Sequence, residues 1–541
     1  MSTTQPNSDQ FDTHRKISLC LEESDSMTPA PEIKLDQHGL PLIPQPSQFQ
    51  DDPLNWPTWL KWAVLVQVGY MAFLGPYNAA LINPSLILLS DALDVSPKVA
   101  AYSTTTAIIM GGVSPFIYTP FSNIYGRRPV TLFAILLTII GGVTSASSTT
   151  FSQLVGTRAI CGFGFGGMMS VGTACVNDMF FLHQRGEATG VYSVFVTNGA
   201  HVASIIGGYL GSSLGWQWDY WIGTISTSVS LVFAIFLFPE TLFSRDPGYL
   251  STRTKTRTYY ERLFDFRGNT LPNRSLHFSH FLESFYMLRY PSILFPFWYY
   301  TWAWTFVNVL PAITIANIYT RFYNLKPGPI GACLGVSLMI GSLLGEFSAG
   351  RASDYVMYRM ARRNGDIRKP EYRLYLCCLS AVFMSAGLIV FGATVGKSHY
   401  FIPLIGLAIG VFGLQIASTT LYAYVSDCYK PQTPETGVLF NLSRGLSFVI
   451  GFFALPFAEK AGHFDLVGRR MEGKGRTACV SWMVIEYRVV CRGEGLLGFG
   501  EMVQVLLKWG RSRLKKSTGF DDIKKEQRVR LFSAICRFAL Q

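Results

Sequence analysis

The amino-acid sequence predicts an all-α, polytopic membrane protein, and three observations lead there. Of its 541 residues only 15% are charged, while 49% are apolar and 14% aromatic, against about 25% charged in soluble proteins. The apolar residues come in long blocks with no amphipathic period, and about 20 of them suffice to cross roughly 30 Å of hydrocarbon. The net charge of +12 sits in short loops and at the two ends of the chain. That placement fits the cytoplasmic loops of a membrane protein and argues against nucleic acid as a partner.

Residues 1–58 are polar, rich in Ser, Pro, Gln and Asp, and carry no signal peptide, so they are expected to form a disordered cytoplasmic tail. Apolar blocks near 62–84, 99–121, 130–149, 152–176, 188–210 and 219–238 predict six spans, making a first bundle over 59–241. Residues 242–290 are basic and read as a central cytoplasmic loop. Near its end Leu276, Phe278, Phe281, Phe285 and Leu288 share a helical face, which predicts an interfacial helix. His277 and His280 lie there without a further ligand type, so no metal site is expected. Blocks near 292–316, 328–349, 373–395, 400–424 and 436–457 predict five more spans within 291–460.

Loop charges set the orientation. Arg127, Arg128, His183, Arg185, the central loop and the run Arg351, Arg359, Arg362, Arg363, Arg368, Lys369 all fall on one side. The opposite loops hold only Lys98, Arg321, Lys326 and Lys397. The N-terminus is therefore expected inside.

The two halves repeat a signal. Thr119-Pro-Phe-Ser-Asn123-Ile-Tyr-Gly126-Arg127-Arg128-Pro129 follows the second block, and Gly350-Arg351-Ala-Ser-Asp354 follows the eighth. Each is expected to be a tight turn whose charges pair with neighbouring helix ends; Asp178 and Asp427, ending the fourth and tenth blocks, are candidate partners for loop arginines. Halves related in this way suggest a carrier whose two bundles rock about a midplane site. Several polar residues inside the blocks then stand out. Arg158 is a membrane-embedded charge, costing about 3 kcal/mol on insertion scales and functional by default, unless it snorkels to an interface. His201 beside Asn198 could relay a proton or be a core histidine satisfied by a neighbouring helix. Glu346 either anchors a loop or meets substrate, and Arg444 lies deep in the eleventh block beside Asn441. Trp298, Trp302 and Trp304 could cradle a cation or form an interfacial belt. Cys161-Gly162-Phe163-Gly164-Phe165-Gly166-Gly167 is glycine-rich, but it lies inside an apolar block and is expected to serve close helix packing.

Over residues 51–460 the chain resembles the major facilitator superfamily, in particular its fungal drug:proton antiporter-like branch near polyamine and cation carriers. The resemblance is carried by Asp52-Pro53-Leu54-Asn55-Trp56-Pro57, Gly126-Arg127-Arg128-Pro129, Arg158 with Gly162 and Gly164, Gly207-Gly208, Trp216-Gln217-Trp218, Pro239-Glu240-Thr241, Arg362-Arg363-Asn364-Gly365 and Pro370-Glu371-Tyr372-Arg373-Leu374. The chain departs from the family's pattern at Thr119, Asn123, Cys161, Ala203 and Ser204. The resemblance implies two pseudo-symmetric six-helix bundles and a part for Arg158 in proton coupling. It also implies that Asn78, Asn308 and Gln415 face a central cavity.

Family members have twelve spans, and the second bundle lacks a clear twelfth. The best later window, Thr477–Cys491, is short and holds Glu486 and Arg488, and residues 461–541 form an atypical basic tail. A retained intron, a frameshift or a faulty gene model is the expected origin of that tail. The function expected is secondary transport of a small organic solute (drug-like, amine or cation) by alternating access, driven by a proton gradient without other cofactor. The chain is expected to act as a monomer in the plasma membrane. A transporter-like sensor or a non-functional relic are the alternatives; no catalytic motif suggests an enzyme.

Overall fold

The computed structural model describes residues 42, 44–245, 261, 263, 277–364, 370–429 and 433–448. Among them there is no β-strand. The chain runs α1 (Thr58–Ala80), α2 (Leu86–Ala92), α3 (Pro97–Val113), α4 (Pro115–Tyr125), α5 (Arg127–Ala146), α6 (Phe151–Met179), α7 (Leu182–Leu214) and α8 (Gln217–Leu237). After the central segment come α9 (Phe278–Tyr286), α10 (Pro291–Trp304), α11 (Leu310–Tyr323), α12 (Pro327–Arg363), α13 (Tyr375–Thr394), α14 (Phe401–Cys428) and α15 (Thr433–Ser447). One apolar core is built from α1–α8 and a second mainly from α10–α15, joined by Phe116 of α4, so the molecule has two halves.

Several helices are jointed, which is why the spans read from the sequence differ from those observed. Pro115 opens α4 directly after Ser114, so the second span is two helices in line. The first span continues past Ala80 through a 3₁₀ turn at Asn83–Ser85, where Pro84 cannot donate, into α2. Between α10 and α11 the residues Thr305–Val309 form a π-helical turn, with Pro311 just beyond. Among the described residues, seven helical segments are long and apolar enough to cross a membrane: Thr58–Ala92, α5, α6, α8, α12, Pro370–Thr394 and α14. The joints at Ser114 and at Thr305–Val309 break two of the remaining expected spans. The many small and polar residues of α7, Asn198 and His201 among them, dilute another. The eleventh is described only to Phe448, and the expected break into a twelfth span and the tail 461–541 lie outside the described residues.

Two expectations need correction. The N-terminal tail is shorter than 1–58 at its inner end: Asp52 caps a 3₁₀ turn at Pro53–Asn55 and is fully buried, and Asn55 donates to Ser47 O and Phe49 O at 2.8 Å each. The Gly350–Asp354 motif is not a turn. It lies inside α12, which runs unbroken to Arg363 because no Pro interrupts it and nothing forces Gly350 out of helical geometry. By contrast Gly126 does break the first copy, at φ +112°, a conformation open to glycine. The interfacial helix is present as α9, whose Phe285 stacks on Phe116 of α4 with centroids 4.1 Å apart.

Where helices cross most closely, glycine is the contact. A Cβ on Gly162 of α6 would run into the Ala107 carbonyl of α3, whereas Gly350 faces open space. Gly162→Ala is therefore expected to destabilise the protein by about 1–3 kcal/mol through overpacking. Gly350→Ala should be neutral or stabilising by up to about 1 kcal/mol. Thermal unfolding of the two variants in detergent compares them; equal shifts of the same sign would contradict the packing argument.

Candidate functional site

The seven candidate residues inside the spans fall into three separate places. Arg158 is 1% exposed and lies against the joint in the first span. It donates to the carbonyls of Asn78 at 3.1 Å and Ala79 at 3.3 Å, and its guanidinium sits 5.2 Å from the centre of the Tyr220 ring. A helix end leaves its last carbonyls without partners, and Arg158 supplies them from another helix. Asn78 turns away from the centre, donating to Leu74 O at 2.7 Å and Thr227 Oγ1 at 3.1 Å.

Glu346 and Gln415 form the second place. Gln415 Nε2 at 2.5 Å and Thr419 Oγ1 at 2.6 Å both donate to the Glu346 carboxylate, tying α12 to α14. Gln415 also reaches Ser193 of α7 at 3.5 Å, and the same carboxyl lies over Gly190 of α7. This cluster sits where the second half meets the first.

The third place is a cavity between the halves. His201, Asn308 and Arg444 line it, joined by Asn83, Ser204, Asn441, Trp304, Phe165 and Met169. Its walls come from the first span, α3, α6 and α7 on one side and from α10–α12 and α15 on the other. The π turn places Asn308, and Pro311 beyond it explains why the turn widens. Ser342 of α12 donates to Asn198 Oδ1 of α7 at 3.0 Å and lies 3.5 Å from His201 Nδ1, so a polar bridge between the halves runs beside the cavity. Trp304 does lie against a cation, but the cation is Arg444, 4.9 Å from the ring centre. Trp302 stacks on Phe306 instead.

At the end where the chain enters α1, the repeated motif builds matching arrangements in the two halves. Arg127 contacts Asp178 at 3.1 Å and Ser122 at 2.8 Å. Arg373 contacts Asp427 at 2.9 Å and Ser353 at 2.8 Å. Both terminal aspartates thus pair with an arginine, and Ser353 occupies in the second motif the place of Ser122 in the first. Asp354 is helical, but its side chain lies outside what is described. Asn123 accepts from Arg127 at 2.5 Å. Glu240 accepts from the backbone N–H of Arg127 and Arg128 at 2.9 and 3.1 Å, and Arg128 donates to the carbonyls of Phe238 and Ile235. Burial pushes the Glu240 carboxyl above its usual range, partly offset by those N–H groups.

Sequence reasoning missed two features. Tyr300, whose hydroxyl accepts from Arg444 Nε at 2.8 Å, was visible as the residue four before Trp304 on one helical face. Asp219, fully buried beside Ser85 and Gly211, was hidden because it falls next to a span boundary.

Two packed helical halves, a cavity between them and repeated ion pairs at one end define a multi-pass integral membrane protein of the transporter class. The chain belongs to the Major Facilitator Superfamily, whose family model matches residues 68–452. It is 26% identical over 387 residues to the efflux pump vrtL of Penicillium aethiopicum, covering 70% of this chain and 75% of that one. It is 25% identical over 449 residues to the MFS-type transporter penM of Penicillium rubens, covering 78% and 87%. To protein HOL1 of Saccharomyces cerevisiae it is 24% identical over 488 residues, covering 74% and 81%. Its fold is similar to the crystal structure of the human organic anion transporter MFSD10, with TM-score 0.54 and 15% identity, over 80% of this chain and all of that one.

A further ion pair at this end holds the N-terminal segment. Asp52 accepts from Arg245 at 2.8 and 3.3 Å and from the N–H groups of Ser47 and Leu54. Burial alone would raise its carboxyl, but Arg245 and the two N–H groups outweigh burial and hold it below its ordinary 3.8. A carboxyl so depressed contributes stability above its unfolded value and loses it only as pH falls through the lower folded value. Asp52→Asn is expected to cost about 1–2 kcal/mol, since the partly exposed Arg245 regains water. The difference from wild type in thermal unfolding should stay flat from about pH 8 to about pH 5 and shrink only in stronger acid. A difference that changes between about pH 8 and 6 would contradict this sign.

Proposed function

We propose that this chain is a secondary transporter that moves a small, largely apolar organic solute through the cavity between its halves, driven by a proton gradient. One observation carries the proposal: the cavity is walled by both halves, so rocking one half against the other would expose it first to one side and then to the other. His201 is the proposed proton carrier. It lines the cavity and lies beside Ser342 of the other half, so a change in its charge alters a contact between halves. Arg158 acts by position, fixing the joint next to Ala79, Ala80 and Asn83 of the cavity wall.

The end bearing Arg127, Arg128 and Arg373 is assigned to the cytoplasm, with the N-terminus, by the bias of loop arginines. The plasma membrane is the proposed location and a monomer the working unit. Outward movement is favoured by the name efflux pump borne by vrtL and by radE of Floropilus chiversii.

Cells or vesicles carrying the protein, given a panel of drug-like solutes at two external pH values, test the proposal. Solute movement should follow the pH gradient and collapse with a protonophore. His201→Gln should weaken the pH dependence while the protein remains folded, and Arg158→Ala should lower both transport and thermal stability. Movement indifferent to the gradient would refute the coupling, and no movement of any solute would refute the transporter reading.

A further inference from the structure

The cavity carries a net charge that a carrier of amines or cations would not be expected to present. Arg444 is the one Lys, Arg, Asp or Glu among the described residues lining it. A guanidinium in such a place needs compensation for the water it has lost. Here that compensation comes from neutral groups. Nε donates to the Tyr300 hydroxyl at 2.8 Å, and the guanidinium lies 4.9 Å from the Trp304 ring centre, 5.7 Å from that of Tyr300 and 6.0 Å from that of Tyr422. Aromatic faces and a phenol stabilise the cation without cancelling its charge. The ring faces that could have cradled a substrate cation are used on the protein's own arginine.

The cage also fixes direction. Tyr300 and Trp304 are buried on α10, so they hold Nε and one face of the guanidinium, while the side chain as a whole remains partly open to the cavity. Asn441, one turn before Arg444, and Asn308 across from it add amide donors to the same wall. The remainder is apolar: Phe165, Met169, Ile108, Leu338 and Val309 among others. An arginine fork with amide donors set in an apolar wall suits a planar carboxylate attached to an apolar body. An amine in the same place would meet a like charge with no acid among the described lining residues to receive it.

We infer that the transported solute is an organic anion, a carboxylate on an aromatic or otherwise apolar frame, bound through Arg444. This rests on the proposed transport function and replaces the amine or cation that the sequence resemblance suggested.

Matched probes test it: 1-naphthoate, 1-naphthylmethylamine and 1-naphthamide share a ring system and differ in charge. Ligand-induced thermal stabilisation of the purified full chain is measured at one pH, alongside competition with solute movement in vesicles. The carboxylate should stabilise wild type more than the amide, and the amine least. Arg444→Gln should weaken carboxylate binding roughly tenfold or more while leaving the amide nearly unchanged, and Arg444→Lys should restore part of the preference. Loss of a merely structural arginine would weaken both probes alike, so equal losses overturn the inference. Preference for the amine, or unchanged carboxylate binding in a folded Arg444→Gln protein, does so as well. If Arg444→Gln does not fold, Asn441→Ala and Arg444→Lys must still shift the carboxylate-to-amide ratio, or the inference fails. Carboxylate binding without movement of any solute would leave the anion site standing and refute the transport reading instead.

Discussion

Inside hydrocarbon no water is present to satisfy a polar group, so each one must find its partner in the protein. The positions of the buried arginines show how this one constraint organises the molecule. Arg158 finds carbonyls that a broken helix leaves exposed, and in doing so keeps the first span jointed where the cavity begins. Arg127 and Arg373 find aspartates at the ends of α6 and α14, and through Ser122 and Ser353 each ties a third helix to the pair. Arg444 finds only aromatic rings and a phenol. The two aspartate pairs neutralise the charge and the carbonyls enclose that of Arg158; the last solution leaves the charge facing whatever enters the cavity.

The same constraint separates structure from function among residues of similar type. Asn78 and Gln415 are buried amides hydrogen-bonded to neighbouring helices, whereas Asn308 and Asn441 line the cavity. The difference follows from backbone geometry: Asn308 sits on a π turn, where one extra residue per turn rotates a side chain off the packed face. Between the halves, glycine and serine replace large side chains. Gly331 and Gly335 of α12 face carbonyls of α7, and Gly112 meets Gly445. Close contact without interlocking side chains is what a sliding or rocking interface requires.

Much of the fold was legible because hydropathy and loop charge report directly on the bilayer. The order of the spans and the interfacial helix emerged from those patterns alone. Joints were less legible: Pro84, Pro115 and Pro311 are visible as letters, but whether a proline kinks, ends or merely opens a helix depends on which neighbour satisfies the freed carbonyl. The repeat was readable as a motif, yet its chemistry was misplaced. Gly350 and Asp354 drew attention, while the working counterpart of Arg127 is Arg373, twenty residues from Ser353 and brought back only by the fold. For the site, the structure sets the candidates in three separate places, and only His201, Asn308 and Arg444 of the seven line the cavity. A sequence shows that a charge lies in a span but not which wall it faces, and so it could not distinguish Arg158 from Arg444.

The unbroken run of α12 has a mechanical consequence. Its 37 residues extend about 55 Å at 1.5 Å each, against roughly 30 Å of hydrocarbon. The stretch past Gly350, bearing Arg351, Arg359, Arg362 and Arg363, therefore stands clear of the bilayer core as a stiff arm about 20 Å long. The first half has no counterpart, because Gly126 turns its chain back at once. A rotation of a few degrees in the second half would thus be magnified at the tip of this arm. The two halves, alike in their ion pairs, are unequal as levers.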